Sequence, residues 1–392
     1  MLKNLSQLFQ AEAENLVKVR RQLHQQPELS MEEFETTKFV AKELAALGIE
    51  YKLGEPTGVI GTIYGGQPGK TVLLRGDMDA LPVPELNEGL SYKSQQAGKS
   101  HACGHDAHTA MLLTAAKVLV EVKEELKGNV RLVFQPAEEV AKGAKAMIEQ
   151  GALADVDNVF GIHIWSSVPV GQVSCYPGPA FAAADIIKIN FEGIGGHAAM
   201  PEQTVDAAII ASQFVSNVQA IVSREIDPLH PAVVTIGRME VGQRFNVIAQ
   251  EAYLEGTVRN FNEGTRGIVE EKITHYAENI AALYGGTAKV VYERMTEVVD
   301  NDPVSAQLVS QITSETFGTE ALGAPAPTMG AEDFGFFMTD TPGAFALVGS
   351  ANPEKDSCWA HHHGRFNIDE DALQVGAELY GRYAVSFLNG SV

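Results

Sequence analysis

The sequence has few cysteines, an excess of negative charge and no long hydrophobic run. Only three of its 392 residues are cysteines. Three cysteines are a small and uneven number that does not suit a disulfide framework. This favours a reducing compartment, the cytoplasm. Lysine and arginine number 29 against 50 aspartates and glutamates, a formal net charge of −21. So acidic a surface repels phosphate backbones and anionic lipids, which argues against nucleic acids and membranes as partners.

Hydrophobic residues make up 45% of the chain, which is enough to form packed cores. The longest apolar run, residues 110–122, is interrupted by Lys117 and is too short to cross a bilayer. The first residues contain no continuous apolar stretch, so no signal peptide is predicted. The length instead predicts two or three globular domains.

The order of apolar segments predicts an α/β domain that is interrupted by a smaller one. Residues 1–183 alternate strand-like and helix-like segments, as is typical of a largely parallel sheet. Residues 184–296 follow the order β-α-β-β-α-β of a ferredoxin-like α+β domain. The α/β pattern resumes over residues 297–392. We therefore expect a catalytic domain in two parts around an inserted domain.

Acidic and imidazole side chains stand at or near the ends of predicted strands. They are Asp77, Asp79, Glu138, Glu139 and His163. Ligands of open α/β sheets bind outside the carboxyl ends of the strands, so these residues are expected at one edge of the sheet. By itself, however, His163 in its apolar run is more typical of a hydrogen-bonded core histidine.

The segment Cys-Gly-His-Asp-Ala-His at 103–108 combines a thiol, two imidazoles and a carboxylate. Thiolates and neutral imidazoles both bind divalent ions such as zinc. Two other interpretations remain open. Asp106 could simply cap the next helix, and Cys103 could be a nucleophile with His105 or His108 as its base.

Two pairs of carboxylates add to the candidate site. Adjacent Glu138 and Glu139 repel each other unless a cation or proton lies between them, and one could bind metal while the other acts as general base. They could also be ordinary glutamates in the first turn of a helix. Asp77 and Asp79 project to the same side of an extended segment, where one could orient a metal-binding histidine. The alternative is a solvated turn.

Histidines 361–363 form a further candidate for metal binding. Together, the cysteine, glutamate and histidine candidates exceed the four ligands of one tetrahedral zinc ion. The sequence therefore predicts a dinuclear site with one shared ligand.

Several segments resemble the amidohydrolase branch of the aminoacylase/carboxypeptidase metallopeptidases, which includes hippurate hydrolase, N-acyl-amino-acid hydrolases and plant indoleacetyl-amino-acid hydrolases. They are RGDMDALP (75–82), HACGHDAH (101–108), QPAEE (135–139), GGHA (195–198), NVI (246–248), GTVR (256–259) and GAEDF (330–334). The resemblance extends over nearly the whole chain, and the Cys-Gly-His-Asp-x-His segment is its most specific part.

The resemblance implies a hydrolase of N-acyl-amino acids with two divalent ions per subunit, Mn²⁺ or Zn²⁺. The implied ligands are Cys103, His105, Glu139, His163 and His362. Glu138 would be the general base and Asp77 the orienting carboxylate. His197 would reach the reacting carbonyl from the inserted domain of the partner subunit, which implies a homodimer formed through that domain. The inserted domain would also act as a lid over the site. Asn246 and Arg259 would contact the substrate.

The chain departs from the family pattern at the last ligand, where members commonly have His-x-Pro-x-Phe. Here the residues at 362–366 are His-His-Gly-Arg-Phe. Gly364 loosens a turn that proline would stiffen, so His361 or His363 could replace His362. Three other functions also stay open: a metallo-dipeptidase or carboxypeptidase, a Cys103-dependent hydrolase, and a non-catalytic metal-binding protein.

Overall fold

A computed structural model describes residues 4–324 and 326–390 of the chain. Its α-helices are α1 (Leu5–Ala11), α2 (Ala13–His24), α3 (Phe34–Ala46), α4 (His105–Glu121), α5 (Gly143–Glu149), α6 (Ala207–Asn217), α7 (Glu263–Leu283), α8 (Pro303–Phe317) and α9 (Asp371–Leu388). Its strands are β1 (Glu50–Leu53), β2 (Val59–Tyr64), β3 (Gln67–Asp77), β4 (Lys127–Gln135), β5 (Asn158–Pro169), β6 (Val173–Ser174), β7 (Gly178–Phe181), β8 (Ala183–Glu192), β9 (Gly196–His197), β10 (Ala232–Val241), β11 (Val247–Ile248), β12 (Glu251–Asn260), β13 (Thr287–Thr296), β14 (Val299–Asn301) and β15 (Gly343–Ala351).

The described residues form two compact units. The larger unit comprises those within Met1–Ala180, Asp300–Ala326 and Asp333–Val392. The smaller unit comprises Phe181–Val299 and Pro327–Glu332. An α/β unit with a second unit inserted into it is the predicted fold class, which is confirmed. The boundaries at 183/184 and 296/297 stay predictions.

The larger unit is built on a seven-stranded sheet in the order β1-β2-β4-β3-β5-β15-β6. The four strands β4, β3, β5 and β15 run parallel, and the outer strands β1, β2 and β6 are antiparallel to their neighbours. The second half of β3 and the first half of β5 are buried throughout. Continuous apolar runs such as 72–74 are typical of strands covered on both faces.

Helices α4 and α9 pack against this sheet and against each other. Most of α4 is buried, as expected for a helix that is apolar on nearly all sides. Two buried tyrosines of α9 attach it to the strands. Tyr380 donates to the carbonyl oxygen of Arg75 over 2.6 Å, and Tyr383 donates to Asn158 Oδ1 over 2.7 Å. This packing fixes the position of β3 and therefore of the residues that follow it.

The smaller unit has an antiparallel sheet in the order β10-β12-β8-β13, with α6 and α7 packed against it. Its separate core includes Ile187, Phe191, Phe214 and Leu254. The chain order β-α-β-β-α-β is that of a ferredoxin-like domain. A short ribbon of β9 and β11 pairs His197 with Val247. None of the described helices is both long and apolar enough to span a membrane.

Candidate metal centre

The parallel strands bring the acidic segments to one edge of the larger sheet. Asp77, the last residue of β3, is in register with Gln135, the last residue of β4. The Glu138–Val140 turn, a single 3₁₀ turn, follows β4 directly. His163 lies in the adjoining β5, within the buried part of that strand. The sheet topology therefore collects residues that are far apart in sequence.

Of five groups of side chains among the described residues that could hold a cation, three together contain all the predicted ligands. These three groups are Cys103, His105 and His163; Cys103, Glu139 and His362; and His105, Glu138 and Glu139. Within each group the ligand atoms lie within 4.8 Å of one another. Cys103 belongs to the first two groups, so one thiolate is placed to serve two cations. The five ligands implied by the resemblance all occur in these groups.

The hydrogen bonds of His105 and His163 direct one ring nitrogen of each toward the cluster. His105 Nδ1 lies 3.1 Å from Asp79 Oδ1, and His163 Nδ1 lies 2.6 Å from the carbonyl oxygen of Ile164. Because these oxygens accept, the proton of each neutral ring is on Nδ1 and the lone pair is on Nε2. His163 Nε2 is 3.6 Å from Cys103 Sγ. When neutral, both rings therefore present the Nε2 lone pair to a cation. Against the effect of burial, the carboxylates of Asp77 and Asp79 raise the pKa of His105 to about 10, so this ring must give up a proton when a cation binds.

Two buried atoms of the cluster show that a cation fits. Among the described residues, His105 Nε2 and Glu139 Oε1 have no hydrogen-bond partner. They face each other over 3.9 Å. A buried polar atom without a partner costs about 1–3 kcal/mol, and a divalent cation would satisfy both atoms. Burial and the negative charges of Glu139 and Glu138 raise the pKa of the Cys103 thiol.

His108 and Asp106 have structural partners instead. His108 Nδ1 donates to Asp77 Oδ1 over 2.5 Å, and its Nε2 accepts the backbone N–H of Ile164 over 2.8 Å. With both nitrogens engaged, His108 is unsuited to be the base of a Cys103 nucleophile. Asp106 does not cap α4 but accepts from His24 Nδ1 over 2.7 Å. The capping interpretation of Asp106 is therefore wrong.

The three consecutive histidines have different surroundings. His362 Nε2 is 3.4 Å from Glu139 Oε2. His361 Nε2 accepts the backbone N–H of Ser166, so the ring proton is on Nδ1, which lies 3.7 Å from Cys103 Sγ. Burial lowers the pKa of His361 to about 3, so this ring is a neutral donor toward sulfur. His363 stacks on the ring of Trp359 and belongs to none of the groups that the described residues form.

The contact expected of Asp77 is made by Asp79. Asp79 Oδ1 binds His105 Nδ1, whereas Asp77 binds His108 and accepts from Arg75 Nη1 over 2.7 Å. Asp77 Oδ2 is still only 3.7 Å from His105 Nε2. The alternation of side chains along an extended segment predicted that both carboxylates lie on one side. Which of the two contacts His105 is decided by where the histidines lie in the fold.

A buried arginine, for which the sequence motifs predicted no role although it begins the RGDMDALP segment, supports this edge. Arg75 donates to Asp77 Oδ2, to Gln135 Oε1 over 2.9 Å and to Asp333 Oδ1 over 3.0 Å. Gln135 Nε2 also donates to Asp333 over 2.8 Å. Burial raises the pKa of Asp333 to about 6 despite the guanidinium. The sequence feature that could have pointed to Arg75 is a charged residue within an otherwise apolar strand.

Replacing Arg75 by methionine is expected to lower the free energy of unfolding by about 3–5 kcal/mol, because two buried carboxylates lose their cation. Urea unfolding measures the change. Arg238→Met is the control, since Arg238 pairs with Glu240 and Glu255 at the surface. That variant should lose less than about 1 kcal/mol. Equal losses in the two variants would show that the Arg75 network does not stabilise the fold.

The other predicted residues lie in the smaller unit, at two ends of its sheet. His197 and Asn246 are exposed neighbours, since Ala198 N donates to the carbonyl oxygen of Asn246 over 3.2 Å. Arg259 pairs with Ala184 at the opposite end of β12. At about 3.4 Å per residue, the eight steps along the strand from Glu251 to Arg259 span roughly 27 Å. The sheet therefore separates Arg259 from the other two.

Comparison with known proteins identifies relatives over nearly the whole chain. Residues 73–386 match the sequence profile of peptidase family M20/M25/M40. A "Thermostable carboxypeptidase 1" of Saccharolobus solfataricus is 40% identical over 380 residues, 95% of each chain. An "N-acetyl-L-cysteine deacetylase" of Bacillus subtilis is 41% identical over 359 residues, 91% of this chain and 84% of the other.

A solved structure shows the same fold. It is a Bacillus subtilis protein described as a dinuclear metal binding peptidase from the M20 family, with 35% sequence identity and a TM-score of 0.86. The match covers 97% of this chain and 99% of the other. The resemblance seen in the sequence motifs is thereby confirmed.

Proposed function

This chain belongs to peptidase family M20/M25/M40 and hydrolyses amide or peptide bonds, and we propose that its substrates are N-acyl-amino acids. The observation that carries the proposal is the placement of Glu138 beside the ligand cluster, because a binding protein needs no base next to a ligand. The deacetylase relative supports the acyl specificity. The carboxypeptidase relative supports the main alternative, cleavage of small peptides.

We propose that Cys103, His105, Glu139, His163 and His362 hold two divalent cations, Mn²⁺ or Zn²⁺. When bound, such cations lower the pKa of water and polarise the scissile carbonyl. Thiolate favours zinc, whereas carboxylate also suits manganese. The Nδ1–H of His361 faces Cys103 Sγ, where it would stabilise the thiolate charge.

Glu138 is the proposed general base. The backbone N–H groups of Glu138 and Glu139 donate to the two oxygens of Asp79 over 3.1 Å each. Asp79 thus holds the base and orients His105 at the same time. In the reaction Glu138 would take a proton from the attacking water and deliver it to the leaving amine.

His197 is proposed to act in the site of a partner subunit. Ala199 N donates to His197 Nδ1 over 3.0 Å, so the neutral ring carries its proton on Nε2, ready to donate to an oxyanion. His197 and Asn246 lie at the end of the sheet away from Asp185 and Thr296, where the chain enters and leaves the smaller unit. A homodimer formed through this unit would allow each His197 to reach the other chain's site.

Arg259 is the proposed partner of the substrate carboxylate. It is half-buried, and among residues 4–324 and 326–390 no carboxylate lies within ion-pair distance of it. Its Nη1 donates to Thr257 Oγ1 and to the carbonyl oxygen of Val258. Burial lowers the pKa of Arg259 by more than the negative charge of Asp185 raises it, and a carboxylate in direct contact would raise it further. A bound carboxylate would supply the missing anion.

A substrate screen tests the proposal. We expect Mn²⁺- or Zn²⁺-loaded protein to cleave acetyl-, benzoyl- or indoleacetyl-amino acids faster than dipeptides. The same N-acyl-amino acids with the carboxylate replaced by an amide should be cleaved poorly. Arg259→Met should raise KM for the acids but not for the amides. A preference for dipeptides would favour the peptidase alternative.

Removing the metal separates this mechanism from a thiol hydrolase. A chelator should abolish turnover, and added Mn²⁺ or Zn²⁺ should restore it, whereas an enzyme with Cys103 as nucleophile would remain active. Oxidants of thiols should release metal, because Cys103 must stay reduced to bind it. We accordingly place the enzyme in a reducing compartment, the cytoplasm.

A further inference from the structure

The backbone N–H groups of Ala137, Glu138 and Glu139 are consecutive in the chain, and all three donate to buried carboxylates. Ala137 N donates to Glu33 Oε1 over 2.9 Å. The next two N–H groups donate to Asp79, which belongs to the site already described. Glu33 comes from the loop before α3, more than a hundred residues earlier in the chain, and the proposed mechanism does not use it.

Glu33 is fully buried and has further donors. Its Oε1 also accepts the backbone N–H of Met31 over 3.1 Å, and its Oε2 accepts Thr57 Oγ1 over 2.7 Å. Thr57 is itself fully buried. Burial raises the pKa of Glu33 to about 7 although these hydrogen bonds lower it. A buried carboxyl group is costly, so its hydrogen bonds must be well formed to keep it in place.

Ala137 has a backbone conformation that needs such support. Its φ is +54° and its ψ is +39°, in the left-handed region that a residue with a Cβ rarely adopts. This conformation reverses the chain after β4 and begins the Glu138–Val140 turn. Strained conformations persist when surrounding contacts hold them, and the bond to Glu33 is such a contact.

We propose that Glu33 is a positioning residue, which acts through the N–H of Ala137 to aim Glu138 and Glu139 at the ligand cluster. The part that concerns Glu138 rests on the proposed function. The part that concerns Glu139 is a statement about cation binding and needs no substrate. Metal affinity and turnover can therefore be tested separately.

Two substitutions of Glu33 test the proposal. Glu33→Gln keeps the length and an oxygen that accepts from Ala137, so Mn²⁺ or Zn²⁺ affinity and kcat should stay within about threefold of wild type. Glu33→Asp is one methylene shorter and should weaken cation affinity about tenfold or more. Its kcat should fall about 30-fold with KM nearly unchanged, because the base is misplaced while substrate contacts remain. Calorimetric titration with Mn²⁺ or Zn²⁺ alone and steady-state kinetics measure these changes.

Glu28→Ala is the matched control from the same loop. The Glu28 carboxylate accepts the N–H groups of Glu35 and Thr36 over 3.1 and 2.8 Å at the start of α3. Its removal should lower stability while leaving cation affinity and kcat unchanged. Glu33→Asp with wild-type affinity and kcat would overturn the proposal, as would equal losses in Glu28→Ala.

Two further outcomes are also decisive. Should Glu33→Asp not fold, Thr57→Val carries the test, because it removes the hydroxyl that holds Glu33 Oε2. It should weaken cation affinity in the same direction, and unchanged affinity would overturn the proposal. Should wild-type protein not cleave N-acyl-amino acids, the proposed function fails, but the cation titrations still decide the role of Glu33.

Discussion

Glu138→Gln is expected to lower kcat about 10³-fold while the protein keeps its metal. The amide has nearly the shape of the carboxylate but cannot take a proton from water. Glu138 and Glu139 both lie near His105, yet only Glu139 also belongs to the group with Cys103 and His362. Loss of the neighbouring Glu138 charge should therefore spare binding. Steady-state kinetics and elemental analysis of the purified variant measure the two quantities.

Glu139→Gln is the natural control because it changes the adjacent side chain in the same way. This variant should lose metal as well as turnover, since Glu139 Oε1 and Oε2 face His105 and His362. The contrast between the neighbours separates a base from a ligand. Near-normal turnover in Glu138→Gln would exclude Glu138 as the base.

His197→Ala is expected to lower kcat about 10²-fold without changing metal content, because one donor to the developing oxyanion is lost. Mixing this variant with Glu138→Gln tests where His197 acts. If it acts in the partner's site, each mixed dimer has one site with both residues intact. Random subunit exchange should then restore about a quarter of wild-type activity in a symmetric dimer.

Two controls accompany the mixing experiment. Each variant is assayed by itself, and the molar mass of the protein in solution is measured. Each variant alone should keep no more than about 1% of wild-type activity, and light scattering should give the mass of a dimer. If His197 served its own chain, every site in a mixed dimer would lack one residue, and no activity would return. Absence of recovery in exchanged dimers would therefore refute the action of His197 across subunits.

Much of the fold and of the candidate site was predictable from local patterns. The alternation of apolar segments distinguished the α/β unit from the β-α-β-β-α-β unit, because strand and helix periodicity depend on neighbouring residues. The Cys-Gly-His-Asp-x-His segment and the Glu138–Glu139 pair each had another possible role, and they indicated metal chemistry only in combination with the histidine candidates. The family followed from the same segments.

The roles that depend on a partner distant in sequence were not predictable in this way. Asp77 and Asp79 share one face of a strand, and only the fold shows that Asp79 contacts His105 Nδ1. The sequence assigned no role to Arg75, which begins the RGDMDALP segment, or to Glu33, yet Arg75 pairs with Asp333 and Glu33 binds Ala137.

Residue type and spacing thus determined which chemistry this chain can perform and in which kind of domain. The tertiary structure alone decided which carboxylate, which ring nitrogen and which backbone N–H meet. A hydrogen bond needs its two atoms at about 3 Å, and sequence spacing constrains that distance only between near neighbours.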